Sequence, residues 1–193
     1  MTNLSTNSDD KKIRIMAATI DLVAENGIHA TPMSKVSKRA NVAAGTIYHY
    51  FENKDALIRE IYVCIHNANI DALLEIDDIN ADYKTRFINF WHAFYKRLLI
   101  KGQLSFLEQC AVSPLIDEQT LETIDAYAKP MTDFMTMGKQ NNYIKTLPDE
   151  LIYKLTFGTI ASTAKLVISD HVELPPAALE QAALFCWDGI KAT

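Results

Sequence analysis

The sequence predicts an all-α protein in which an N-terminal three-helix helix-turn-helix domain precedes a C-terminal helical bundle, with about nine helices in total. Apolar residues recur every three or four positions along most of the chain, which is the spacing of a helix face. Six glycines and six prolines among 193 residues leave long uninterrupted stretches. No stretch combines strict alternation with enrichment in β-branched residues, so we expect no strand.

The composition is that of a soluble domain. With 49% hydrophobic and 22% charged residues, a disordered, collagen-like or coiled-coil chain is excluded. The net charge of −5 excludes an unstructured polybasic binder of nucleic acid. No window reaches the roughly 18 apolar residues that a bilayer crossing needs, and the polar start lacks the apolar core of a signal peptide. We therefore expect a cytoplasmic protein with a disordered tail over residues 1–10.

The first two helices have clear boundary signals. A first helix is predicted after the acidic pair at positions 9 and 10, and Gly27 favours its end. Thr31 as N-cap and Pro32 at the first helical position then predict a helix over 33–40. The apolar stripe of the first helix consists of Ile13, Met16, Ala17, Ile20, Val23 and Ala24.

A tight turn and a third helix follow, before a much longer fourth helix. Asn41 tolerates the left-handed conformation of a turn, and a short helix is predicted from near Gly45 to near Phe51. Asn53 then caps the long helix, with Asp55 in its first turn. These boundaries divide the chain into a helix-turn-helix domain over 11–52 and a larger domain over 53–193.

The larger domain is predicted to contain five further helices, separated by segments that hold glycine or proline. Pro130 falls inside the third of them and should kink it. The predicted ranges are 80–101, 104–112, 117–141, 149–169 and 176–191.

The two short helices have the packing and the charge of a DNA-binding unit. Small or aliphatic residues at Val36, Ala40, Val42 and Ile47 let the first helix support the second, which the major groove of DNA can accept. From position 11 to position 54 there are seven basic and three acidic residues, a net charge of +4, so the rest of the chain sums to −9. A locally basic segment suits contact with phosphates.

The run VSKRANVAAGTIYHYF from position 36, followed by NKDAL from position 53, resembles the DNA-binding domain of TetR-family transcriptional regulators. The family pattern is roughly IAxxAGVSxGTLYxYFxxKExL. Asn41 replaces the usual glycine, Ser37 replaces a small alanine, and Ala43 replaces a serine that caps the third helix. Losing that cap costs about 1 kcal/mol.

The resemblance implies sequence-specific binding to a double-stranded DNA operator. Thr31, with help from Ser34, would bind a phosphate, and Lys54 would meet another at the start of the fourth helix. Ala44 and His49 would read base edges. The full set of residues that the resemblance places at the DNA is Thr31, Ser34, Ala43, Ala44, Thr46, Tyr48, His49 and Lys54.

Aromatic side chains concentrate in the larger domain, where they fit either a plain core or a mostly apolar pocket with a few polar groups. The resemblance implies a small-molecule effector there, which the rings suggest is apolar or aromatic. The candidate effector-binding residues are Trp91, His92, Phe94, Tyr95, Phe106, Glu108, Gln109 and Phe134.

The last two predicted helices are rich in small residues, which let helices approach closely. They fit either packing within one chain or a four-helix interface between two subunits of a homodimer, and two DNA half-sites favour the dimer. The candidate interface residues are Gly158, Ala161, Ser162, Ala182 and Ala183.

Catalysis has no support in the sequence. Cys64, Cys110 and Cys186 lie far apart, the five histidines show no metal-ligand spacing, and there is no glycine-rich phosphate loop. We expect no enzyme activity, no cofactor and no metal. The sequence favours a ligand-responsive regulator, most simply a repressor released from its operator by the effector. The alternative is an interaction module that keeps the helix-turn-helix shape without binding DNA.

Overall fold

The structure, a computed structural model, describes the backbone of residues 5–192 and the side chains from residue 10. Within that part of the chain there are ten helices and no strand, and an isolated antiparallel bridge joins Ile144 to Lys191. The all-α prediction is confirmed. The helices are α1 (Ser5–Asn26), α2 (Met33–Ala40), α3 (Ala44–Tyr50), α4 (Lys54–Glu75), α5 (Tyr83–Leu98), α6 (Gln103–Ala111), α7 (Glu118–Tyr127), α8 (Lys129–Gln140), α9 (Asp149–Ile168) and α10 (Pro176–Ile190).

Most predicted boundaries hold, with three differences. Helix α1 begins at Ser5, so residues 5–10 of the predicted disordered tail are helical, while residues 1–4 lie outside the described part. Pro32, rather than Thr31, is the N-cap residue of α2, and its side chain makes no capping bond. The predicted helix over 117–141 is two helices, because Pro130 starts α8 near its N-terminus and does not kink a continuous one.

The chain divides into two compact units. The first contains the residues up to His66 together with 101–123, and the second contains 67–100 and the residues from Ile124 onward. Helix α4 contributes to both, and α6 belongs to the first unit although it lies in the larger predicted domain. The predicted boundary at residue 53 stays a prediction.

Helix α1 is the centre of the first unit and packs on α2, α3 and α6. Its inward side chains join those of α2, α3, α6 and the first half of α4 in one apolar core, which stabilises this unit by removing apolar area from water. Gly102, at φ 76°, lies so close to α1 that a Cβ there would come within 3.0 Å of Ile20. The fully buried members of this core are Ile15, Val23, Val36, Ile47, Leu57, Ile58, Ile61, Phe106 and Cys110.

The second unit has an aromatic core in which α5 packs on α9 and α10. The Tyr83 ring stacks on Phe134 at 4.2 Å between centroids, and Phe90 meets Phe134 edge to face. Phe87 and Tyr83 both contact Trp187 of α10. A half-buried bidentate ion pair from Arg86 to Asp77, at 2.8 Å for both bonds, lies beside this stack.

Candidate nucleic-acid interface

Helices α2 and α3 meet at a tight left-handed turn. Asn41 has φ 53°, its N–H donates to the Lys38 carbonyl, and the Val42 N–H donates to the Ser37 carbonyl at 3.0 Å. Asparagine is one of the few residues that adopt this conformation at low cost, so it replaces glycine here. Val36 of α2 and Ile47 of α3 are fully buried, and the two helices pack on each other. The predicted helix-turn-helix is therefore present.

The opposite side of α3 is open to solvent. Ala43, Ala44, Tyr48 and His49 are exposed, and 56% of Tyr48 is accessible, a high value for an aromatic side chain. Thr46 is half-buried. A short helix with its apolar side covered and its outer side bare has the form that enters the major groove. The structure thus brings five of the eight predicted DNA-binding residues onto one helix and the residue before it.

Two of the predicted phosphate ligands have partners within the protein. Thr31 is fully buried, and its hydroxyl donates to the Gly27 carbonyl at 2.9 Å. This corrects its predicted role, because that hydroxyl already stabilises the α1–α2 turn. Lys54 Nζ donates to the Ile28 carbonyl at 3.1 Å. Ser34 is exposed in the first turn of α2, where a phosphate can reach it.

The positive charge that this region can offer to phosphates is smaller than the net charge of +4 counted from the sequence. Arg39 donates both terminal nitrogens to Glu25 at 3.0 and 2.8 Å, and this hydrogen-bonded partner lowers the pKa of the Glu25 carboxyl. Lys12 pairs with Glu60. Lys35 and Lys38 are exposed on α2. Both lie in the predicted basic segment, but the sequence did not place them in the predicted DNA-binding site. Their exposure depends on which side of α2 the rest of the protein covers, and the sequence does not show this.

The eight candidate effector residues are shared between the two units. Phe106, Glu108 and Gln109 belong to the first unit, and the other five belong to the second. Phe106 is fully buried in the first core. Gln109 donates to the Val23 carbonyl at 2.9 Å and accepts from the Ile28 N–H at 3.2 Å. These contacts give Phe106 and Gln109 structural roles in the first unit, and their assignment to an effector pocket stays a prediction.

In the second unit, three of the five remaining candidates are core residues. Trp91 is 1% exposed and donates to the Thr159 hydroxyl at 3.2 Å, and Tyr95 stacks on it. Phe134 lies in the aromatic core described above. By contrast His92 and Phe94 are half-buried. The imidazole of His92 is 3.1 Å from a Glu180 carboxylate oxygen, and Phe94 contacts the Phe157 ring.

A polar cleft of about 340 Å³ opens in the first unit, and none of the candidate effector residues lines it. Arg59 and Asp117 face each other there at 4.0 Å. Asp117 also caps α7 by accepting from Thr120, and these bonds lower the pKa of its carboxyl. Among the described residues no group of three His, Cys, Asp or Glu side chains could hold a metal ion.

The predicted interface residues divide by exposure. Ala161 and Ala183 are 6% and 0% exposed, because they fill the contacts of α5, α9 and α10 inside the chain. Their assignment to a dimer surface is therefore wrong. Gly158 and Ser162 are exposed, and Ala182 is half-buried. Close packing within the chain and an outward surface thus occur on opposite sides of the same two helices.

Two family models match the chain. Residues 15–61 match the model described as bacterial regulatory proteins of the tetR family. Residues 80–191, more than half of the chain, match a tetracyclin repressor-like C-terminal domain. The chain belongs to the TetR family. The resemblance seen in the helix-turn-helix run is thereby confirmed and extends to the C-terminal part.

Individual relatives agree with this membership in the TetR family. The "Fatty acid metabolism regulator protein" of Bacillus subtilis (strain 168) is 26% identical over 178 residues, which are 90% of this chain and 92% of the relative. A crystal structure of a TetR family transcription regulator from Marinobacter aquaeolei VT8 has a TM-score of 0.92 at 23% identity, covering 98% of this chain and all of that one. The regulator FadR from Bacillus subtilis, solved in complex with stearoyl-CoA, has a TM-score of 0.69 at 24% identity, covering 91% and 95%.

Membership in the TetR family also bears on catalysis. The relatives are DNA-binding transcriptional regulators rather than enzymes, which supports the absence of catalytic function at the family level.

Helix α9 is long and apolar enough to span a membrane by length and composition, although the sequence predicted no stretch of this kind. Of that stretch, 22% is buried inside the chain. Such a helix is weak evidence for a membrane, since an apolar helix can equally be covered by protein.

Proposed function

We propose that this protein is a ligand-responsive repressor that binds a double-stranded operator through α2 and α3. The observation that carries the proposal is the exposed side of α3, with Tyr48 and His49 outward and Ile47 buried beneath them. A DNA-binding family and a bare recognition helix together favour the major groove as the occupant of this surface. The proposal places the protein's action in the cytoplasm, where bacterial DNA is found.

The proposed contacts divide into base readers and phosphate binders. Ala44 offers a methyl group and His49 a ring nitrogen to base edges, while Ala43 lies at the entrance of α3. Tyr48 and Thr46 offer hydroxyls to the backbone. On the supporting elements the phosphate binders are Ser34, Lys35, Lys38 and Lys54, of which Lys54 has two N–H groups left after its bond to Ile28.

The test begins with selection of bound sequences from the DNA upstream of the gene and from a random library. Binding to a selected duplex is then followed by fluorescence anisotropy at several salt concentrations. We expect His49→Ala to relax base preference at one or two positions and Tyr48→Ala to weaken binding to every sequence. If no duplex is enriched, the proposal fails and the interaction-module alternative is favoured. Repression itself is tested by in vitro transcription from a promoter that contains the selected site.

We also propose a homodimer formed by α9 and α10. On α9 an exposed stripe at helical spacing contains Leu151, Leu155, Gly158 and Ser162, and on α10 Phe185 is 74% exposed. The low burial of the apolar α9 within its own chain supports a protein partner for this surface. A two-fold dimer through four such helices would carry two helix-turn-helix units, as two half-sites require.

For the effector we propose an apolar or aromatic molecule bound in the second unit. His92 and Phe94 remain as candidates, and Phe157 and Tyr153 continue their aromatic surface, since those two rings stack. The stearoyl-CoA of the related FadR makes a long acyl chain the first class to test.

Stearoyl-CoA and aromatic acids are therefore titrated into the protein–operator complex. An effector should lower operator affinity and raise the thermal midpoint of the free protein, because it binds the free form more tightly. A Phe94→Ala variant should need more ligand for the same release. A panel without any effect on midpoint or release would refute effector control.

A further inference from the structure

The turn between α1 and α2 is held by two side chains that come from elsewhere in the chain. The Ile28 N–H donates to Gln109 Oε1 of α6 at 3.2 Å, and the Ile28 carbonyl accepts from Lys54 Nζ at the start of α4 at 3.1 Å. Ile28 is itself 6% exposed, so this residue is anchored by its N–H, its carbonyl and its buried side chain.

Gln109 reaches both sides of the turn. Its Nε2 donates to the Val23 carbonyl in the last turns of α1 at 2.9 Å, and to Ser105 Oγ within α6 at 3.2 Å. Gly27 has φ 86°, a conformation that glycine adopts without strain, and this reversal brings the Val23 carbonyl and the Ile28 N–H within reach of one carboxamide. One side chain on α6 thus fixes the point where α1 ends and the path to α2 begins.

We infer that Gln109 is a positioning residue for DNA binding, an inference that rests on the proposed function. The turn it holds leads directly into α2, which presents Ser34, Lys35 and Lys38 on its exposed surface. A turn that is fixed before DNA arrives lowers the ordering cost of binding. Because a hydrogen bond weakens steeply with distance and angle, the bonds of Gln109 make the placement of α2 depend on the placement of α6.

The first test removes both bonds at nearly constant volume. Gln109→Met should lower the affinity for the selected operator about tenfold, a loss within the range that two net hydrogen bonds span. Ser105→Ala is the matched control, because it removes the bond within α6 and leaves both bonds to the turn. Its operator affinity should stay within about twofold of wild type.

The second test uses Gln109→Glu, which still accepts from the Ile28 N–H but directs a negative oxygen at the Val23 carbonyl. Protonation restores the donor, so the affinity of this variant relative to wild type should rise as the pH falls from 7.5 to 5, in line with the chemistry of a carboxyl. Gln109→Met should show no such rise. A loss of packing alone would not produce this difference between the two variants.

A third measurement follows the turn without DNA. Hydrogen exchange of the Ile28 amide should be faster in Gln109→Met than in wild type, and operator binding should slow it again. A variant with wild-type operator affinity and a lowered thermal midpoint would overturn the inference, because Gln109 would then stabilise the fold equally with and without DNA. Wild-type protein that binds no duplex would instead refute the proposed function.

Discussion

Neighbouring cations on α2 have different surroundings, although they are indistinguishable in the sequence. The side chain of Lys38 is exposed, whereas that of Arg39 is committed to Glu25 through two hydrogen bonds and lies 3.9 Å from Asp21. A cation that is paired with a carboxylate contributes little to phosphate binding and to the release of counterions from DNA, because its charge is already compensated. The number of cations that can contact DNA therefore depends on the surroundings of each one.

Lys38→Ala is expected to lower both operator affinity and its dependence on salt, with the slope of log K against log salt changing by about 0.9 for one phosphate contact. Arg39→Gln is the control, and it should leave the slope nearly unchanged. Anisotropy titrations between low and moderate salt measure both. Equal slopes for wild type and Lys38→Ala would remove Lys38 from the proposed interface.

His66, on α4, is a titratable group held in an apolar setting. Burial lowers the pKa of its imidazole to about 4, and its Nε2 has no hydrogen-bond partner among the described residues. Its ring contacts Tyr62 edge to face. The folded protein therefore keeps this histidine neutral at pH values where the unfolded chain, with a pKa near 6.5, already binds a proton.

The free energy of unfolding should consequently fall as the pH drops below about 6.5, since the unfolded state then holds the extra proton. Between pH 7.5 and pH 5 the contribution of His66 is about 2 kcal/mol. His66→Phe keeps a ring against Tyr62 and cannot titrate, so it should lose less stability over this range in urea unfolding. The exposed His29→Gln should follow the wild-type curve. If His66→Phe also follows it, burial does not suppress protonation.

Helix α8 depends on one close contact for its position. Tyr83 of α5 lies over Gly138, where an added Cβ would overlap the tyrosine hydroxyl. The ring cannot move aside freely, because it stacks on both Phe134 and Tyr143. Its burial also raises the pKa of the Tyr83 hydroxyl. The absence of a side chain at one helical position thus lets two elements approach.

Gly138→Ala should lower the free energy of unfolding by about 1–3 kcal/mol, the usual cost of inserting a methyl group into a packed site. Gly189→Ala is the matched control within α10, where a Cβ meets nothing within 4 Å. That control should gain up to about 1 kcal/mol from the better helix propensity of alanine. Chemical denaturation measures both, and a stabilised Gly138→Ala would show that Tyr83 yields easily.

We predict that the whole molecule is a dimer, with an interface formed by the exposed sides of α9 and α10. Ser162→Glu and Phe185→Glu place a charge on that surface and should give monomers, because burying an unpaired charge is costly. Thr132→Glu is an exposed control on α8 and should stay dimeric. Light scattering should report twice the mass of one chain for wild type and control. A monomeric wild type would refute the dimer.

The sequence alone determined what depends on local chemistry. The all-helical class follows from apolar spacing, and the turn at Asn41 and the cap at Asn53 follow from residues whose conformational preferences act within a few positions. The helix-turn-helix and its family are recognisable for the same reason, since a tight turn and its inner residues occupy one continuous run.

The tertiary structure decided which side of each helix is covered, and residues distant in sequence do the covering. Gln109 and Ile28 are 81 positions apart in the sequence. The sequence therefore shows a polar side chain that could bind a ligand, but not that this side chain anchors the α1–α2 turn. Ala161 and Ala183 of the predicted interface are likewise buried by residues that are distant in sequence. Small size permits close approach but does not specify whether the neighbour comes from the same chain or from another. Only the arrangement of α5, α9 and α10 determines that Ala161 and Ala183 pack within the chain, while Gly158 and Ser162 remain outside.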